Sequence, residues 1–270
     1  MPLRFNPLHP RLGAEVHGLN VHELGDSAVR EQLRSALNRY RLLLVRDQPD
    51  LDVSEQVAFT EVFGELYVSR SYKGEMGDQG YYFSNTRADG QLGTGELSYH
   101  HDHLFMQSPA RAAVLYAIEI PESGSATRFR DAVEIFRRLP EASQRLAQSI
   151  RCLHALDYST VTRTGHVDKS QLSPKALRCW QPLAWQDPDS GDTALWMVPL
   201  TTVDFEGINR VDGHTFLNQL WQLAETMDDI EYTHHWRVGD LLVWDNRLLS
   251  HARLPFNDRE PRTLRRTTVS

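Results

Sequence analysis

Eight short runs restrict the fold of this chain more than anything else in it. GYYFSN, AAVLYAIEI, ATRFR, TALWMV, YTHHWRV, DLLVWDN, SHARLPF and RRTTVS are aromatic and β-branched, and Gly, Asp, Asn and Pro punctuate them. Runs of this length and composition predict many short strands closing into a sandwich or jelly roll. Helical periodicity is confined to four places. SAVREQLRSALNRYR places Val29, Leu33 and Leu37 on one face, with Ser27 as the expected N-cap. SEQVAFTEVFGEL is a second amphipathic stretch, with Ser54 as its expected cap, and LLLVRDQ between the two reads as a buried strand. Two further helices are expected at 131–148 and 213–226, whereas 158–178 shows no clear period and reads as a long loop over a site. The expectation is a mainly β core with flanking helices, mostly on the N-terminal side, as a single domain over 1–270.

With 29 Lys+Arg against 36 Asp+Glu, the formal charge of −7 argues against nucleic acid or an anionic membrane as the main partner. Two cysteines, Cys152 and Cys179, are too few for a disulfide framework and fit a reducing compartment. The N-terminal MPLRFNPLHPRLG has no apolar h-region, and the longest apolar runs are far too short to span a bilayer. A cytoplasmic protein is expected.

Within this frame, YHHDH at 99–103 puts three imidazoles around one carboxylate. If the stretch is extended, His100 and Asp102 project together, and His101 with His103 form the competing pair on the other face. The plain alternative is a polar turn. A third ligand is available from His251, which follows the apolar strand of DLLVWDN, introduced by Gly239-Asp240. Two histidines and one carboxylate on one triangular face are the arrangement for non-haem Fe(II) that activates O2. Neutral imidazoles and one carboxylate leave the metal about one positive charge, with which to accept an anionic chelating co-substrate. Eleven and fifteen residues after His251 come Arg262 and Arg266. If the chain turns at PFNDREP and returns as a strand, these two share a face. A guanidinium inside a barrel is costly unless paired, and a dicarboxylate would pair it in a bidentate fork. The alternative is a basic terminal strand with solvated arginines.

YHHDHLF, GSATRFRDAVEIFRRLP and GDLLVWDNRLLSHARLPFNDREPRTLRR together resemble the taurine/2-oxoglutarate dioxygenase family, which includes the dichlorophenoxyacetate dioxygenases. LRFNPLHPRLGAEVHGLNV and AFTEVFGELYVSRSY are similar to the family's N-terminal segments, and the likeness weakens at 155–210. The resemblance implies a double-stranded β-helix, cupin-like core and a dependence on Fe(II), 2-oxoglutarate and O2. It implies that His100, Asp102 and His251 hold iron, and that Thr127 and Arg262 bind the distal carboxylate of 2-oxoglutarate. Arg266 is implied near the iron, against co-substrate or an anionic substrate group. Asp245, Asn246 and Arg247 are implied as scaffold that aims His251. Ser69, Tyr72, Glu96 and Tyr99 fall where the family lines its substrate pocket.

The chain departs from the family pattern at Tyr99, where a Trp is usual, and at Gly124-Ser125, where a glycine pair is usual. Asp102 fills the position that a halogenating relative leaves small, so halogenation is rejected. The expected reaction is oxidation of an unactivated C–H bond, by hydroxylation or desaturation, in a small molecule that is amino-acid-like or carboxylate-bearing. In that reading Glu96 meets an amine and Arg266 a carboxylate; the plainer reading leaves Glu96 solvated. Relatives often assemble, so a homo-oligomer is a weak expectation. The competing function is a metal-binding, cupin-like protein or isomerase that does not use 2-oxoglutarate.

Overall fold

The computed structural model describes residues 3–21, 24–48, 50–69, 72, 74–156, 170 and 172–270. Two sheets form its frame. The larger runs in the order Arg4–Pro7, Ala14–His17, Leu42–Val45, Leu241–Asp245, Ala112–Glu119, Thr263–Val269, Tyr81–Ser84, Gly90–Gln91. The smaller runs Glu231–His235, Ala126–Asp131, Leu249–Arg253, Leu97–His100. Neighbours in space are mostly distant in sequence and antiparallel, which is the jelly-roll arrangement. Leu42, Leu44, Phe83, Leu115, Trp244 and Leu264 of the larger sheet share one apolar cluster with Phe129 and Leu249 of the smaller. That cluster is the interior of the roll.

The other face of the larger sheet is buried too. Leu43, Val45, Val114, Tyr116 and Val243 pack under Val29, Leu33 and Leu37 of the Ser27–Tyr40 helix and Phe59 of the Val53–Thr60 helix. A strand buried on both faces reads as an unbroken apolar run, which is why LLLV shows no alternation.

Both N-terminal caps differ from the sequence expectation. The Asp26 carboxylate, not Ser27, accepts the Ala28 N–H at 2.8 Å. The second helix starts from Asp52 rather than Ser54, in a reciprocal capping box with Glu55, and ends at Thr60. In both places a carboxylate just upstream displaces the hydroxyl.

Between Asp131 and Glu231 the chain builds a separate layer. It holds the helices Ala132–Arg138, Glu141–Ser149 and Arg210–Ala224, a three-stranded sheet of Leu177–Pro182, Arg151–Leu156 and Thr202–Glu206, and the hairpin Ala184–Gln186 with Thr193–Leu195. Ile135, Leu139, Leu183, Phe205, Leu217 and Leu220 lie in its own core. The helix expected over 131–148 is broken at Pro140, and the one expected from 213 begins at Arg210 under an Asn209 cap. Among the described residues, three of the five α-helices therefore lie in this layer rather than on the N-terminal side. Of the loop expected over 158–178, residues 158–169 and 171 lie outside the described residues, and 177–178 already belong to a strand. Among the described residues, no helix is long and apolar enough to cross a membrane.

Candidate active site

The smaller sheet brings two histidines together by register. His251 is the cross-strand partner of His100, and their rings lie 4.2 Å apart between centroids. Nδ1 of His100 lies 2.8 Å from the Ser98 carbonyl, a contact that a ring N–H satisfies and that leaves Nε2 as a lone-pair donor. Asp102 completes the group: its Oδ1 is 3.6 Å from His100 Nε2 and its Oδ2 is 3.4 Å from His251 Nε2. One ligand atom from each of the three lies within 4.8 Å of the others.

Asp102 reaches this place by a different route from the strand alternation expected. The strand ends at His100, and Asp102 sits in the following turn, where His103 takes a φ of 64°. Asn246 holds that turn. Its Oδ1 accepts the Asp102 N–H at 2.7 Å, and its Nδ2 donates to the carbonyls of Asp102 at 3.1 Å and Ala110 at 2.7 Å. Asn246 thus aims Asp102, while Asp245 accepts the Arg247 N–H at 2.9 Å in the turn that leads to His251. His101 and His103, the competing pair, diverge. His101 is buried with Nδ1 2.7 Å from the Asn246 carbonyl, while the His103 ring lies 5.0 Å from that of Tyr67.

The electrostatics suit a divalent metal. Burial, together with neighbouring His100, lowers His251 well below an ordinary histidine and keeps it neutral. Burial alone would raise the Asp102 carboxyl, but the Arg266 guanidinium together with His251, His100 and His103 outweighs it and holds the group ionised, well below the usual carboxylate range. A neutral imidazole and an ionised carboxylate are the states a metal ligand needs, so the donor set fits Fe(II).

Arg266 lies on the last strand and Arg262 just before it; both are buried, among different partners. Arg266 is 3 % exposed and forks onto Asp102, at 2.7 Å to Oδ2 and 3.3 Å to Oδ1. Arg262 is 2 % exposed, donates from Nε to the Ser125 hydroxyl at 2.8 Å, and stacks 5.0 Å from the Phe256 ring. One of its terminal nitrogens has no acceptor among the described residues, and no carboxylate pairs with it there. Burial, with Arg253 nearby, pushes Arg262 down to about 9. Thr127, 4 % exposed, accepts the indole N–H of Trp236 at 2.9 Å.

The positions expected to line a substrate pocket scatter. Tyr72 is half-buried, its ring 4.8 Å from Tyr81, and Ser69 is half-buried in the preceding segment, its N–H donating to the Asp78 carbonyl at 2.9 Å. Glu96 is exposed. For Tyr99 the structure corrects the expectation: next to His100 in a strand, it points to the opposite face. There its hydroxyl donates to Glu231, and the Arg130 guanidinium lies 4.0 Å from its ring. Sequence reasoning missed Ser125 and Trp236. The departure from a glycine pair was the available signal for Ser125, since it supplies the hydroxyl that Arg262 uses. For Trp236 the signal was period two from His234, which sends both inward.

A model of the taurine catabolism dioxygenase TauD, TfdA family matches residues 4–268. The chain belongs to that family. It is 30 % identical to the alpha-ketoglutarate-dependent 2,4-dichlorophenoxyacetate dioxygenase of Cupriavidus pinatubonensis, covering 100 % of this chain and 98 % of the relative. It is 25 % identical to the alpha-ketoglutarate-dependent sulfate ester dioxygenase of Pseudomonas putida, over 100 % of this chain and 90 % of that protein. In fold it matches a putative alpha-ketoglutarate-dependent taurine dioxygenase from Burkholderia xenovorans with a TM-score of 0.82, at 24 % identity, over 99 % and 92 % of the two chains. AAD-2 in complex with Mn(II) and N-oxalylglycine matches equally, at 0.82 and 23 % identity, over 100 % and 97 %. This TauD, TfdA family member is accordingly an oxidoreductase that depends on Fe(II), 2-oxoglutarate and O2.

Proposed function

We propose that this dioxygenase hydroxylates an unactivated C–H bond of a small, carboxylate-bearing molecule. In this reading His100, Asp102 and His251 hold the iron, and Thr127 and Arg262 take the distal carboxylate of 2-oxoglutarate. The observation that carries the reading is Arg262: a buried guanidinium with an unsatisfied N–H, four residues before the arginine that grips Asp102. A buried cation without a partner costs several kcal/mol or so, and a ligand carboxylate removes that cost.

When bound, Fe(II) with 2-oxoglutarate and O2 supplies an oxidant able to break a C–H bond, with succinate and CO2 released. The chain's own residues orient and exclude. Asn246 fixes the Asp102 backbone, and Arg266 keeps the carboxylate ionised. Phe129 and Trp244, with ring centroids 6.3 and 4.8 Å from that of His251, wall it off from water.

The substrate class rests on Arg266 and its surroundings. Its guanidinium lies 5.6 Å from the ring centroids of both Tyr81 and Phe83, and Tyr72 packs beyond Tyr81. Rings beside a cation suit an apolar body carrying one anionic group. A relative that acts on 2,4-dichlorophenoxyacetate, itself such a molecule, supports the same class. Glu96 is exposed, which favours the solvated reading and drops the amine from the proposal.

The test has two steps. Fe(II) and 2-oxoglutarate, added without O2, should give a visible charge-transfer band that His251→Ala lacks. With O2, small carboxylates should accelerate succinate formation, and the product should gain one oxygen. Absence of the band overturns the co-substrate site. Acceleration by neutral or amine compounds alone overturns the substrate class, and loss of two hydrogens replaces hydroxylation by desaturation.

A further inference from the structure

One residue at the carboxylate end acts on the proposed ligand site from behind. Trp236 is 4 % exposed and follows the Glu231–His235 strand. Its peptide N–H donates to the Ser125 carbonyl at 3.0 Å, and its indole N–H donates to the Thr127 hydroxyl at 2.9 Å. One residue thus ties down the backbone of Ser125, whose hydroxyl holds Arg262, and through its side chain the hydroxyl of Thr127. Its ring is held in turn by His234, edge-on at 4.5 Å between centroids, and His234 Nε2 sits 3.1 Å from Asp240. Arg46 fixes Asp240 through contacts of 2.9 and 3.0 Å.

The chemistry of the pair is asymmetric. An indole N–H can only donate, whereas a threonine hydroxyl can donate or accept. With Trp236 donating, the Thr127 oxygen must accept on that side, and its own proton must point elsewhere. That proton has no acceptor among the described residues. It stands with the unsatisfied Arg262 N–H as a second donor lacking an acceptor.

We propose that Trp236 is a positioning residue that sets the polarity of Thr127, so that the hydroxyl meets the distal carboxylate of 2-oxoglutarate as a donor. This rests on the reading of Thr127 and Arg262 as the co-substrate site. Without the indole N–H, the Thr127 proton is free to turn away, and the hydroxyl then presents lone pairs to an anion.

Trp236→Phe keeps most of the ring and removes the N–H. Its partner in the test is 2-oxopentanoate, a keto acid without the distal carboxylate. Both keto acids are titrated without O2 against the Fe(II) protein, read by the visible band and by the shift in Tm. Trp236→Phe should weaken 2-oxoglutarate about tenfold, the factor set by roughly 1.4 kcal/mol, and leave 2-oxopentanoate unchanged. In a Thr127→Val background it should cause no further loss, because the two residues act as one unit. In the unmodified protein, the Trp236 indole N–H should exchange more slowly with 2-oxoglutarate bound than with 2-oxopentanoate, a readout that needs no variant to fold. Unchanged affinity for 2-oxoglutarate, equal loss for both keto acids, additive losses with Thr127→Val, or equal exchange would each overturn the role of Trp236. If the unmodified protein itself gives no band with 2-oxoglutarate, it is the co-substrate site that fails.

Discussion

Two buried arginines four residues apart, one just before the last strand and one on it, mark two different electrostatic regions. Around Arg266 charge is settled within the chain: burial works against the cation, and Asp102 more than restores it. Around Arg262 nothing anionic is within reach among the described residues, and burial wins. The first region is built to be stable before any ligand arrives. The second is built to bind, because it keeps a cost that only a ligand removes. Stability and affinity therefore separate along one short stretch of chain, and substitutions at its two ends should separate them too.

The largest effect is expected at the settled end. Asp102→Asn removes a proposed metal ligand and strands Arg266, a loss of about 3–5 kcal/mol when one partner of a buried pair is deleted. Urea unfolding of the metal-free protein should show that drop, and Fe(II) should no longer bind tightly. At the other end, Arg262→Met should leave metal-free stability unchanged or higher, since it deletes an uncompensated cation. Its affinity for 2-oxoglutarate should fall by roughly 2–5 kcal/mol. If Arg262→Met unfolds as readily as Asp102→Asn, the hydroxyl of Ser125 is partner enough and the contrast is gone.

Acid should attack the settled region from behind. His101 and His154 are buried and neutral, pushed down by burial to about 4 and about 3 from an ordinary 6.5. Between pH 6.5 and about 4 the unfolded chain binds protons that both native imidazoles refuse. Each contributes about 1.4 kcal/mol of lost stability per pH unit well inside that window, so the pair contributes about 3 kcal/mol per unit. Above pH 6.5 neither state protonates them and the slope vanishes. Urea midpoints of the metal-free protein across this range check the sign, and His154→Gln should lower the slope by about 1.4 kcal/mol per pH unit.

How legible all this was in the sequence follows the same division. His251 could be set beside His100 because it follows an apolar strand in a β-rich half of the chain, and the two are cross-strand partners in the smaller sheet. Period two put Arg262 and Arg266 on one face of a returning strand, but the strand begins at Thr263 and takes up only Arg266. Asp102 does lie beside His100, but not through strand alternation: its position is made by the side chain of Asn246, 144 residues away, and no local pattern encodes such a clamp. Tyr99 failed because likeness to a family position says nothing about which face this chain presents, and Glu231 with Arg130 claims it from outside. Arg265 was invisible too. It points to the other face, where it meets Gln56 and the Leu51 and Asp52 carbonyls of the capped helix. The layer between Asp131 and Glu231 was least readable, since its packing depends on partners far along the chain.

Glu96 tests the lower bound of the contrast. Buried charges govern both regions because low dielectric magnifies an unpaired group, whereas an exposed carboxylate is solvated whether or not anything faces it. Glu96 is exposed at the start of the strand that ends in His100. Glu96→Gln should therefore change unfolding free energy by less than about 0.5 kcal/mol and leave Fe(II) and 2-oxoglutarate binding as they were. Turnover of a carboxylate substrate should also persist. If turnover collapses while both affinities hold, the carboxylate is reading the substrate directly, a cationic group belongs on that molecule, and an amino acid becomes the better candidate.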